Sequence, residues 1–179
     1  MNIEKIFSTK ERVMLLKHIL YLSKELRVSE VARDLRLSKG LVSKYFEILA
    51  KEYILRKIGT RFLVENNANV RGLKILLNVE KVKPALFKKH KFVRAAGLYG
   101  SCARGTNTSD SDIDVWVKVE NADDERVIDL SNELRKRIKG VSVLILDDTK
   151  LNLLKEKDPL FYHSLYFGSI LIFGKENEI

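Results

Sequence analysis

Two carboxylates two residues apart, Asp112 and Asp114, open the apolar run Ile113-Asp114-Val115-Trp116-Val117-Lys118-Val119. Side chains alternate along an extended strand, so both acids project from one face. Paired carboxylates with no histidine or cysteine at matching spacing suit a hard cation such as Mg2+, or Mn2+ in its place, which also takes phosphate oxygens. Upstream, the strand-like run Phe92–Tyr99 ends in Gly100-Ser101 and continues as Cys102-Ala103-Arg104-Gly105. A strand–Gly–Ser–helix turn offers backbone N–H groups and the Ser101 hydroxyl to phosphate. The two elements together would make a metal–triphosphate site, in which the metal neutralises charge on a leaving group. Arg104 either contacts phosphate or holds the turn by pairing with an acid. Trp116 continues the Asp112/Asp114 face, as a core residue or as a wall of the pocket. Taken alone, an Asp-x-Asp pair is also what a solvated strand edge shows. Cys102 fits a small helix residue better than a nucleophile, and His18, His90 and His163 have no zinc-like spacing.

The elements that would position these residues are legible as periodicities. A stripe of Leu15, Leu16, Ile19, Leu20, Leu22 and Leu26 predicts a helix over 10–26. Ser29 and Ser38 are suited to cap two further helices, the second running to Lys51. Tyr53–Ile58 and Arg61–Glu65 flank Gly59-Thr60 and predict a hairpin. Asn66-Asn67-Ala68-Asn69 is a polar break, placed here as a boundary between domains 1–67 and 68–179. Beyond it, 70–90 is helical, with Pro84 opening a second helix or kinking the first. Strands at 92–99, 113–119, 141–146 and 170–173 alternate with helices at 123–139, 150–157 and 159–165. That alternation indicates an α/β or α+β layer.

Residues 10–65, and above all Val28-Ser29-Glu30-Val31-Ala32-Arg33-Asp34-Leu35-Arg36-Leu37-Ser38-Lys39-Gly40-Leu41-Val42-Ser43-Lys44, resemble a winged helix-turn-helix. The resemblance implies a third helix in the DNA major groove, with Lys39, Gly40, Ser43 and Lys44 at base edges and phosphates. It makes the hairpin a wing, with Arg56, Lys57 and Arg61 on backbone phosphates. Double-stranded DNA is the implied partner and transcription regulation the implied role; dimerisation or docking is the competing use of such a fold.

The stretch Gly100-Ser101-Cys102-Ala103-Arg104-Gly105 through Ser111-Asp112-Ile113-Asp114 resembles the signature of the minimal nucleotidyltransferases of the polymerase-β-like superfamily. That resemblance implies a small α/β domain with a mixed sheet, making the whole chain α+β. It implies an NTP as substrate or ligand, metal at Asp112 and Asp114 as the catalytic acids, and phosphates at Gly100, Ser101 and Arg104. Acceptors in such families range from small molecules and nucleic acid to side chains of a partner protein. One departure stands out. The superfamily places a third carboxylate on a later strand, and the matching position in Val141-Ser142-Val143-Leu144 is Ser142. Serine is neither a base at neutral pH nor a good metal ligand. A DNA-binding regulator that binds nucleotide, or uses the second domain for assembly, with little or no catalysis is therefore the rival reading.

Composition limits the alternatives. The chain has 179 residues, 45% hydrophobic and 32% charged, so it is no disordered tail. A lone cysteine excludes an internal disulfide and points to a reducing, cytoplasmic setting. No apolar run approaches the ~18 residues of a membrane span, and Met1–Lys5 lacks an apolar signal region. The net charge of +9 is uneven: +6 over 1–67, +7 over 68–96 and −4 over 97–179. A basic front suits a polyanion. A homodimer is compatible with the sequence, which carries no exposed heptad to specify one.

Overall fold

The fold is given by a computed structural model that describes residues 1–175; the last four residues of the expected second domain lie outside the described residues. The chain divides into two compact units, Met1–Lys74 and Ile75–Ile179, and the division falls inside a helix. No described helix is long and apolar enough to cross a membrane.

The first unit opens with α1 (Ile3–Phe7) and α2 (Lys10–Ile19), capped by Asn2 and Thr9, whose side chains accept from Lys5 N and Arg12 N. The sequence stripe gives no sign of α1; it is held because Ile6 is buried and its carbonyl accepts from the Tyr45 hydroxyl at 3.0 Å. The helix expected over 10–26 stops at Ile19. Leu26, the last apolar residue of that stripe, instead forms an antiparallel bridge with Phe62, with backbone bonds of 2.7 and 3.0 Å. Ser29 is not a cap: α3 (Val28–Asp34) begins two residues earlier than such a cap would set it, with Arg27 at the cap position and its carbonyl taking Glu30 N and Val31 N. Ser38 does cap α4 (Lys39–Lys51), accepting from Leu41 N at 3.2 Å. Val42, Tyr45, Phe46 and Leu49 bury one face of α4, while Lys39, Gly40, Ser43 and Lys44 remain exposed on the other. β1 (Leu55–Ile58) and β2 (Arg61–Val64) pair through a two-residue loop, in which Gly59 takes φ +58°. α5 (Ala68–Lys81) follows and carries the division between units.

The second unit is a mixed four-stranded sheet in the order β5-β4-β3-β6. Its strands are β3 (Val93–Leu98), β4 (Ile113–Val119), β5 (Val141–Leu146) and β6 (Ile170–Phe173). β4 and β5 are parallel, joined by α8 (Asp124–Arg137); β3 runs antiparallel to both β4 and β6. Pro84 opens the short α6 (Ala85–Lys88), and α7 (Gly100–Arg104) links β3 to the loop before β4. α9 (Asp148–Lys157) and α10 (Pro159–Gly168) precede β6.

Alternation on β4 makes it the spine. Ile113, Val115, Val117 and Val119 pack with Phe87, Leu130 and Leu134 on one side of the sheet. Trp116 packs with Ala95, Leu146, Leu151 and Leu165 on the other. Trp116 is 1% exposed, so it is a core residue rather than a pocket wall. Lys118, on the same face, is 4% exposed and ion-paired to Asp148 at the start of α9. Gly97 pairs with Trp116 across β3 and β4. A β-carbon at Gly97 would lie 2.5 Å from the Ile170 carbonyl and 2.7 Å from the indole nitrogen. Gly97→Ala is therefore expected to destabilise the second unit by about 1–3 kcal/mol, the usual range for forcing a carbon into a filled core. Trp116 is the lone tryptophan, so its fluorescence during urea unfolding measures this directly.

Candidate functional site

β3 delivers the chain to Tyr99, whose backbone N–H donates to the Asp114 carbonyl at 3.1 Å. Gly100 then takes φ +65°, a conformation that disfavours any side chain. A β-carbon there would also collide with Asp114 Oδ2 and lie 3.3 Å from its Cγ. The Asp114 carboxylate thus rests against the backbone of the Gly-Ser turn. The first turn of a helix has N–H groups without intrahelical partners, and no side chain caps the start of α7. Ser101 is half-buried in this turn. Gly105, at φ +67°, ends α7 in a left-handed cap, and Thr106 N donates to the Ser101 carbonyl at 3.0 Å.

Asp112 and Asp114 are coupled. Burial raises the Asp114 carboxyl above the ordinary aspartate range; the Asp112 charge raises it further, and Arg104 opposes both. Asp112 is exposed just ahead of β4, while Asp114 is half-buried. The Asp112 Oδ1 lies 4.0 Å from the β-carbon position of Gly140, whose carbonyl accepts from Ile113 N at 2.8 Å. Arg104 does not hold the turn by pairing with an acid. Among the described residues it has no carboxylate within 4.0 Å and is exposed, acting on Asp114 only through space. The Cys102 thiol is buried and donates to the Asp112 carbonyl at 3.3 Å. Burial, then the Asp114 charge, push that thiol up, away from nucleophile chemistry.

The parallel register pairs Asp114 with Ser142, which is exposed. The β5 position beside the acid therefore holds a hydroxyl. Other acids are engaged elsewhere. Asp148 pairs with Lys118, Glu120 with Arg94, and Asp147 caps α9 by accepting from Lys150 N at 2.7 Å. Among the described residues, no group of three or more His, Cys, Asp or Glu side chains is gathered for a metal.

A buried amide pair supports the site, and motif reading missed it. Asn78 on α5 is fully buried; its Nδ2 donates to the Cys102 carbonyl at 2.9 Å and to Asn107 Oδ1 at 3.0 Å. Asn107 returns a bond from its own Nδ2 at 3.3 Å. This pair fastens α7 and the loop leading to Asp112 against one helix. The available signal is an amide immediately after Leu77, on a helix whose Leu73 and Leu77 are buried. Ser111 is a turn residue, its hydroxyl accepting from Thr108 N at 3.0 Å, and Asp110 is exposed. Tyr99, half-buried, sets its ring edge-on to Phe161 at 6.2 Å; burial and the Asp114 charge raise its phenol.

In the first unit, Lys39 and Lys44 lie exposed on α4. The three hairpin cations are all engaged: Arg56 with Glu65 at 3.4 Å, Lys57 with Glu47 at 2.7 Å, and Arg61 with Glu25.

The profile of the family described as polymerase beta, nucleotidyltransferase matches residues 80–178, over half of the chain, and the chain belongs to that family. No curated protein matches it. Among solved structures, one of a toxin–antitoxin with AMP-PNP is 20% identical, covering 55% of this chain and 74% of its own, with TM-score 0.40. A nucleotidyltransferase from Sulfolobus solfataricus is 19% identical, covering 64% and 95%, with TM-score 0.40. A Shewanella oneidensis HEPN toxin complex with MNT antitoxin is 15% identical, covering 59% and 74%, with TM-score 0.32.

Two outcomes are expected of this geometry. Asp112→Asn should lower the Asp114 pKa by removing a like charge, read from the carboxyl carbon in an NMR titration; an unmoved value contradicts the coupling. The sign for stability follows. A carboxyl whose pKa is raised by folding favours the fold while protonated, and that contribution is lost as pH rises through its folded pKa. Gly100→Ala should cost at least about 1 kcal/mol, because its φ is positive and the new methyl meets Asp114. Urea midpoints monitored at Trp116 measure it.

Proposed function

We propose that the chain is an N-terminal winged helix-turn-helix over 1–67 joined to a nucleotidyltransferase domain over 68–179, which binds a divalent cation with an NTP. The observation that carries the reading is the Asp114 carboxylate set against Gly100, with the like charge of Asp112 acting on it. Such a pair is relieved by a cation. Mg2+ is held by one or two carboxylates plus substrate phosphates, a donor set that Asp112, Asp114 and a triphosphate supply without a third acid. Bound there, the metal would neutralise the pyrophosphate leaving group. The Gly100-Ser101 backbone and hydroxyl hold phosphate oxygens, and exposed Arg104 adds a positive charge. In transfer, an acceptor hydroxyl oxygen bonds to the α-phosphorus, the bond to pyrophosphate breaks, and the hydroxyl proton passes to solvent water. With Ser142 beside Asp114, the neighbouring strand offers no carboxylate to receive that proton.

The Ser142 position favours a second reading, a DNA-binding regulator whose second domain binds nucleotide with little turnover. Lys39 and Lys44 are its phosphate contacts on α4; the paired hairpin cations contribute less until their carboxylates are displaced.

Calorimetry with Mg2+ and each of four NTPs tests the shared part. Wild type should bind at least one, and Asp112→Asn with Asp114→Asn should abolish binding; equal affinity in the double variant rules the site out. Ser142→Asp should raise transfer of labelled NMP if only the third acid is missing. For DNA, Lys39→Ala with Lys44→Ala should weaken duplex binding. The slope of log K against log salt should fall by about 0.9 for each phosphate no longer neutralised. An unchanged slope rejects the α4 interface.

A further inference from the structure

The second unit carries a basic cleft that the nucleotide site does not use. A cavity of about 380 Å3 lies between α6 and α8, lined by Lys81, Lys83, Lys89 and Arg137, with Glu133 as its carboxylate. Glu133 is already committed. Lys89 hydrogen-bonds one of its oxygens at 2.5 Å and His90 Nε2 lies 3.1 Å from the other, and the Lys89 bond holds the carboxyl below its usual range. Lys83 and Arg137 are exposed at the mouth of the cavity. The surround is of the same sign. Lys88 and Lys91 flank Lys89 in the chain, and Arg135, Lys136 and Lys139 stand around the end of α8, all exposed. Clustered cations of this density repel one another and raise the local concentration of anions.

We infer that this cleft binds the phosphodiester backbone of a nucleic acid strand, apart from any duplex held by the first unit. The composition favours nucleic acid over an acidic protein. Protein interfaces are depleted in lysine and anchored by aromatics. Three of the four cations here are lysines, and no aromatic residue lines the cavity among the described residues. Lysine is a usual partner of backbone phosphate, which positions a strand without reading its sequence. The segment from Arg135 ends at Gly140, beside Asp112. Delivery of a strand end to the carboxylates rests on the function proposed above; binding in the cleft does not.

The test uses the full chain carrying Lys39→Ala and Lys44→Ala, which silences the α4 face, and a labelled 20-nucleotide strand (on the order of two single-domain site sizes) as RNA and as DNA. Adding Lys83→Glu and Arg137→Glu should weaken binding at least about tenfold. The milder Lys83→Gln with Arg137→Gln should lower the salt slope by about 0.7 for each phosphate no longer neutralised, the value for single strands. Trp116 fluorescence confirms that both variants are folded. Mg–NTP binding should be unchanged in the Gln variant, which separates failure of the cleft from failure of the nucleotide site. A preference for RNA over DNA would assign the 2′-hydroxyl a part; equal binding would assign the phosphates alone, and both support the cleft. Unchanged affinity and slope in both variants overturn the proposal. So does displacement of the strand by polyglutamate at equal charge, which points to an acidic protein, or by inorganic triphosphate at equal concentration, which points to a small-anion site.

Discussion

The carboxylate of Asp114 occupies the space that any side chain at Gly100 would take. This close approach brings three things into one volume: an acid on the central strand, the free N–H groups at the start of α7, and a second acid two residues upstream. Each has a separate structural cause. The acid is placed by β4, which is covered on both faces and so cannot slip register without turning its valines out of one core and Trp116 out of the other. The turn is placed by β3, tied to Asp114 through the Tyr99 N–H. α7 is placed by the Asn78–Asn107 pair and by the Cys102 thiol on the Asp112 carbonyl.

The electrostatic consequence is a site that a cation would complete. Burial and Asp112 both work against ionisation of Asp114, and Arg104 opposes them only through space. A half-buried acid beside an exposed like charge is an arrangement in which a divalent cation has a large effect and a water molecule a small one. Ser142 stands where the family's third acid is expected, and its parallel pairing with Asp114 keeps the geometry in which an acid would sit. On the proposed function, binding and turnover are separable: the first would depend on groups that are present, the second on a proton acceptor that the neighbouring strand does not supply.

Much of this is legible in the residues because local chemistry decides it. The alternation in Ile113–Val119 gives the strand and the acid-bearing face; the Gly100-Ser101 turn needs its glycine; the position of Ser142 in its apolar run marks where the third acid is missing, and the parallel register then sets it beside Asp114. Where the residues mislead, the cause is long-range pairing. Leu26 continues a helical stripe by spacing alone, and only its bridge to Phe62 shows that the helix has ended. Ile6 and Tyr45 hold α1 through a bond spanning 39 residues. Asn78 is one polar residue on an amphipathic helix until the fold brings Cys102 and Asn107 to it. The hairpin cations carry full charge in the sequence, yet each meets a carboxylate in the fold.

The central claim is that Asp112, Asp114 and the Gly100-Ser101 turn together hold a cation with a triphosphate. Paramagnetic broadening of amide resonances by substoichiometric Mn2+, with and without NTP, addresses it most directly. The account predicts broadening confined to Gly100–Cys102, Asp112–Val115 and Gly140–Ser142, extended along α7 and sharpened in stoichiometry by NTP. Broadening centred on another acidic stretch, such as Glu120–Asp124 or Asp147-Asp148, or none with NTP present, would contradict it.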